Sequence, residues 1–69
     1  MYAYNNIMVQ PKKETIEGAA YRKARELKGI SLRECARRMK ISAMYLSDME
    51  RGMRKWNDRL RAKIERALG

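Results

Sequence analysis

Sixty-nine residues with a single cysteine and no histidine allow one small domain, burying only ~60% of its unfolded-chain surface and leaving little room for an enclosed catalytic cavity. They exclude a disulfide within the chain and argue against a zinc site. A net charge of +9, with 36% of residues charged, directs the reading to a polyanion, nucleic acid first.

An anionic membrane surface would fit the charge alone. No apolar run approaches the ~18 residues of a spanning helix, and no signal-peptide pattern opens the chain. A cytoplasmic protein is expected, nucleoid-associated when bound to DNA, with no membrane contact. With no histidine base, no metal cluster and no glycine-rich phosphate loop, neither an enzyme nor a cofactor or small-molecule substrate is expected. The one nucleophile of note, Cys35, falls on an inward stripe.

Residues 1–13 read as an N-terminal arm or strand, and residues 14–69 as the folded domain. Tyr2, Tyr4, Ile7, Met8 and Val9 make the first segment too apolar for an ordinary tail, and Ile7 to Val9 fit a short strand ended by Pro11. Three readings stand open: a frayed leader partly packed on the domain, a strand pairing with a second subunit, or an arm following DNA. A helix is expected to start at Glu14 or Thr15, with Glu14 and Glu17 near its positive end. Its predicted inward face is Ile16, Ala19, Ala20, Ala24 and Leu27, with Arg22, Lys23, Arg25 and Lys28 on the surface and Gly29 ending it.

The most informative stretch is Ser31 to Gly52. Leu32, Cys35, Ala36 and Met39 form an apolar stripe at i, i+3, i+4 and i+7, and Leu46 and Met49 resume it after a short break. Ser31 and Glu34 have the spacing of a capping box, Ser42 offers a second cap, and Gly52 a stop. Two helices joined so tightly must cross steeply, as in a helix-turn-helix. Beyond them lies a basic loop, Met53 to Trp56. Asn57 then caps a last helix with Asp58 in its first turn and Leu60, Ile64, Ala67 and Leu68 inward, while Arg59, Arg61, Lys63 and Arg66 are not.

The charge pattern agrees with a DNA-reading helix. Ala43 to Glu50 holds no lysine or arginine but carries Asp48 and Glu50. Arg33, Arg37, Arg38 and Lys40 precede it, and Arg51, Arg54 and Lys55 follow. A helix lying between phosphate ridges needs cations at its margins and small or polar groups against the bases. Arg33 opposes the helix dipole, which makes sense if a phosphate docks on the amides from Leu32 onward, behind Ser31; a solvated side chain is the plain alternative.

The run L-x-x-x-A-x-x-M-x-I-S-x-x-Y-L-S-x-M-E-R-G, from Leu32 to Gly52, resembles the phage-repressor and Cro-like (Xre-type) helix-turn-helix family. The likeness covers roughly residues 15 to 68. It implies an all-α fold, a small four-helix bundle of lambda-repressor type truncated from five helices, with a short N-terminal strand or arm. It also implies a small repressor-like regulator, of phage or bacterial type, that binds double-stranded DNA as a homodimer. On that likeness Ala43, Met44, Ser47 and Asp48 occupy the base-facing positions, while Ser31, Leu32, Arg33, Lys40, Ser42, Tyr45, Arg51, Arg54 and Lys55 are expected on phosphates. Met44 fits a thymine methyl or hydrophobic filling, Asp48 a cytosine amino group or a pair with Arg51 or Lys55, and Tyr45 a phosphate or a half-buried site.

The sequence departs from the family at Lys40, where glycine is usual, at Trp56, where proline is frequent, and at Gly69, short of a fifth, dimerising helix. Trp56 is expected to cover the core edge, and the N-terminal segment is a candidate replacement for the missing dimer contact. The rival reading is an antitoxin or adaptor that keeps this fold and grips a protein partner through residues 1–13.

Overall fold

The computed structural model describes residues 13–69, with side chains from Thr15. The expectations for the N-terminal arm, the Ile7–Val9 strand and the Glu14 side chain lie outside those described residues. Four helices follow in order: α1 (Lys13–Leu27), α2 (Leu32–Met39), α3 (Ala43–Glu50) and α4 (Asp58–Leu68).

The stripes predicted for the middle of the chain become the core. Cys35, Ala36 and Met39 of α2 meet Leu46 and Met49 of α3, and Leu60, Ile64 and Ala67 of α4 close over them. Each large aliphatic side chain taken out of water here contributes roughly 1.5–3 kcal/mol. Trp56 is buried at the core edge, as expected, and its Nε1–H donates to the Met49 carbonyl at 3.2 Å.

Capping follows the sequence closely. The side chains of Ser31, Ser42 and Asn57 accept from the amides of Glu34, Tyr45 and Leu60 at 3.0, 3.0 and 2.8 Å. The return half of the Ser31 capping box is not made. The Glu34 carboxylate turns instead to Arg37 and Arg38, three charge-assisted donors being a better match than one backbone amide.

Three helices end in the same hydrogen-bonded turn. The left-handed residue sends its N–H to the carbonyl three back, and the next residue reaches five back, as in Gly29 to Glu26 and Ile30 to Arg25. Gly52 to Met49 with Met53 to Asp48, and Lys40 to Arg37 with Ile41 to Ala36, repeat it. Glycine fills the left-handed position after α1 and α3, with φ of 70° and 80°; after α2 it is Lys40, at φ 61° and ψ 42°.

The first helix corrects the sequence reading. Ile16 and Leu27 are 58% and 78% exposed, Ala19 and Ala20 are exposed, and Ala24 is only half-buried. The side of α1 that meets the bundle carries Gly18, Tyr21 and Arg25 instead. A Cβ on Gly18 would lie 2.3 Å from the Met49 carbonyl oxygen and 2.6 Å from that of Glu50, so only glycine lets the backbones come this close. Tyr21 lies against Trp56, ring centroids 4.5 Å apart.

Arg25, expected on the surface, is buried in a bidentate pair with the equally buried Glu50, Nε to Oε2 at 2.8 Å and Nη2 to Oε1 at 3.1 Å. Its third nitrogen, Nη1, donates to the Ile30 carbonyl at 2.9 Å. The carboxylate in turn holds the guanidinium firmly protonated. Arg61 makes a second bridge across the bundle, its Nε 2.6 Å from Glu17 Oε2, and a further bond to Asp58.

Candidate nucleic-acid interface

With Leu46, Met49 and Glu50 turned inward, α3 presents Met44 at the centre of its outer face, 75% exposed, with half-buried Ser47 and Asp48 on either side. Ala43 sits half-buried at the edge of that face and packs against the core. The four expected base-facing residues therefore share one side of one helix. Glu50, counted at first with the acidic pair of α3, is withdrawn into the bundle by Arg25.

Asp48 is the one charge left on that face, and it is occupied. Its Oδ1 accepts from Arg51 Nη2 at 3.0 Å, and Arg54 Nε lies 3.6 Å from its Oδ2. Arg54 also lies over the half-buried Tyr45 ring, 4.7 Å from the centroid, a cation–π contact. Sequence spacing shows the Arg51 pair, three residues along, but gives no sign of the Arg54 contacts, because those depend on how the loop after Gly52 returns.

The remaining positive groups frame the helix. Arg33, Lys40, Arg51, Arg54 and Lys55 are exposed. The side chains of Arg33, Lys40 and Lys55 meet no acidic partner among the described residues. Ser31 and Ser42 spend their hydroxyls on caps, which places the α2 and α3 amide ends, rather than the hydroxyls alone, at the surface. Leu32 is half-buried against the core, so only its backbone N–H is suited to a phosphate.

Arg37 and Arg38 are drawn off by Glu34, whose carboxyl they hold down at about 2, Arg37 the larger cause. Being lowered, that acid favours the fold above its ordinary value and loses the contribution only as pH falls towards 2. Arg38 also donates Nη1 to the Ala67 carbonyl at 2.8 Å, tying α2 to α4.

Lys40 stands apart. A left-handed conformation costs a residue with a Cβ roughly 1–2 kcal/mol, and nothing its ammonium touches among the described residues offsets that. Cys35 is fully buried and its thiol is pushed up by that burial, so it is inert.

A helix-turn-helix family model matches residues 22–69. The chain belongs to the helix-turn-helix family. The match fits the Cro-like resemblance, and such a family is one of DNA-binding proteins rather than enzymes. Two solved structures of the clp gene regulator ClgR from Corynebacterium glutamicum superpose on the chain. One has a TM-score of 0.84 at 40% identity, covering 87% of this chain and 78% of that one. The other has a TM-score of 0.83 at 39% identity, covering 88% and 65%. None of the curated proteins compared matches the sequence. No helix among the described residues is long and apolar enough to cross a membrane.

Proposed function

We propose that this helix-turn-helix protein is a transcriptional regulator, repressor-like, that reads a specific double-stranded DNA sequence by laying α3 in the major groove. The observation that carries the reading is the division of charge around α3. Its outer face offers Ala43, Met44, Ser47 and a neutralised Asp48 to base edges, and exposed cations stand on both margins. Likeness to a named gene regulator supports the same conclusion.

In this arrangement Met44 meets thymine methyls and Ser47 bonds either class of base. Phosphates compete for Arg51 and Arg54 when DNA binds, which frees Asp48 to accept from a cytosine amino group. Arg33 and the Leu32 amide behind Ser31, Lys40 and the Ser42 end of α3, and Tyr45 and Lys55 complete the phosphate contacts. A homodimer would place two such helices on inverted half-sites about one helical turn apart.

Site selection from a randomised duplex library tests this directly. A recovered motif whose preferred bases shift with Met44→Ala or Asp48→Ala supports readout by α3. Four to six neutralised phosphates per subunit give a log K against log salt slope of roughly −0.9 for each; a slope near zero would sink the proposal.

One observation favours a second reading, an antitoxin or adaptor that binds a partner protein. The apolar stripe of Ile16, Ala19, Ala20 and Leu27 on α1 is open to solvent and comes after a segment that carries Tyr2, Tyr4, Ile7, Met8 and Val9 in the sequence. Co-purification of a stable protein partner together with weak DNA binding would decide for it.

A further inference from the structure

We propose a second DNA-backbone site on the side of the molecule: a cationic groove between the end of α2 and the end of α4 that takes the phosphates of duplex flanking the sequence read by α3. It rests on the reading of α3 as the major-groove element and extends it. The groove, about 510 Å³, is lined by Arg38, Met39, Lys40, Lys63, Arg66, Ala67 and Gly69.

Its floor is apolar, since Met39 and Ala67 are buried core residues, and its walls are positive. The neighbouring arginines are already used. Arg38 is held by Glu34 and the Ala67 carbonyl, and Arg61 by Glu17 and Asp58. Lys40, Lys63 and Arg66 have no acidic partner among the described residues. On α4, Glu65 lies round the helix from Lys63 and does not line the groove. The carbonyl ends of α2 and α4 offset part of the charge of Lys40, Lys63 and Arg66, but no carboxylate among the described residues pairs with them, so a row of phosphates can take all three.

Lys40 supplies the continuity. It belongs both to this groove and to the turn leading into α3, so phosphates reaching one reach the other. It also supplies an independent sign of purpose. At the two equivalent helix ends the left-handed residue is glycine, whereas here the chain carries a strained lysine whose charge points to no partner within the described fold. A negatively charged protein segment would satisfy the same cations, but DNA is the polyanion that the proposed reading of α3 already places beside the turn.

Affinity measured across a salt series on two duplexes tests the groove. One is trimmed to the selected site, the other carries about 10 further base pairs on each side, one helical turn. Wild type is expected to bind the longer duplex more tightly and with a steeper slope. The double variant Lys63→Gln with Arg66→Gln should lose about tenfold in affinity and about 2 in slope on the longer duplex only, with its thermal midpoint unchanged.

Equal losses on both duplexes, no loss on either, or a wild type indifferent to flanking length would each overturn the groove. A wild type that binds neither duplex would instead overturn the reading of α3 on which the groove rests.

Discussion

The α2–α3 unit and α1 are held to the same core by opposite means. Cys35, Ala36, Met39, Leu46 and Met49 lock α2 and α3 by apolar contact, with a serine cap at each start. From α1, only Tyr21 appears among the apolar residues packed at the core, and then only partly buried. Its seat is a glycine against two carbonyls and an arginine paired inside the bundle. Apolar packing tolerates changes of shape, because neighbours relax into modest gaps. A close backbone approach and a desolvated ion pair tolerate almost none, so the comparison forecasts that the helix with the smaller core contribution is the more sensitive to single substitutions.

The largest effect should come from breaking the ion pair. Glu50→Ala leaves the Arg25 guanidinium buried without its counter-charge, a loss of about 3–5 kcal/mol. That is a large share of what a domain of this size possesses, ~5–10 kcal/mol. Urea denaturation would measure it. Replacing both partners, Arg25→Met with Glu50→Leu, should recover most of the loss, since the penalty belongs to the orphaned charge rather than to the missing pair. A single variant costing under ~1 kcal/mol would show that α1 is held by something else.

Gly18→Ala comes next. The added methyl meets the Met49 and Glu50 carbonyl oxygens well inside contact distance, and backbone cannot swing away as a side chain can. Prising α1 off α3 should cost about 2–3 kcal/mol. The glycines that end helices give a graded control. Gly29 has open space for a Cβ and should lose only the left-handed penalty, about 1 kcal/mol, whereas Gly52 also presses on Thr15 and should lose more. Equal losses at Gly29 and Gly52 would mean that the contact with Thr15 gives way freely.

The same contrast explains what could be read from the residues. Period and caps specify α2, α3 and α4 because those helices bury ordinary apolar stripes, and Ser42 and Gly52 mark the ends of α3 without ambiguity. In α1 the apolar period is equally regular, through Ile16, Ala20 and Leu27, but it faces water. A rule that sends apolar stripes inward fails where the inward face is chosen by a glycine and a long-range charge pair. Arg25 and Glu50 are 25 positions apart, and no local pattern links them. The shared outer face of Met44, Ser47 and Asp48 on α3 is legible, because a helix face follows from spacing. The Arg54 contacts to Asp48 and Tyr45 are not, because they require the path of the loop.

Lys40→Gly sharpens the comparison from the other side. It removes left-handed strain from the α2–α3 unit and should raise stability by about 1 kcal/mol. It also removes a cation from the interface, so DNA affinity should fall several-fold and the salt slope shrink by about 0.9. Thermal melts and salt-series binding on the same variant separate the two effects. A gain in stability without a loss of binding would leave the strained lysine with no role at the DNA.

The smallest effect is expected where the sequence pattern pointed most firmly inward. Ile16→Gln and Leu27→Gln place polar groups on a stripe that is already solvated, so each should change stability by no more than ~0.5 kcal/mol. Leu46→Ala, in the α2–α3 unit, should cost about 2–5 kcal/mol by comparison. The pair of glutamines therefore asks what the stripe does without disturbing what holds the fold. If α1 offers this face to a protein partner, the double variant keeps its melting point and its DNA site but loses the partner on co-purification. If the glutamines cost as much as Leu46→Ala, the stripe is buried in the protein in solution, and the distinction between a helix seated by apolar contact and one seated by glycine and charge collapses.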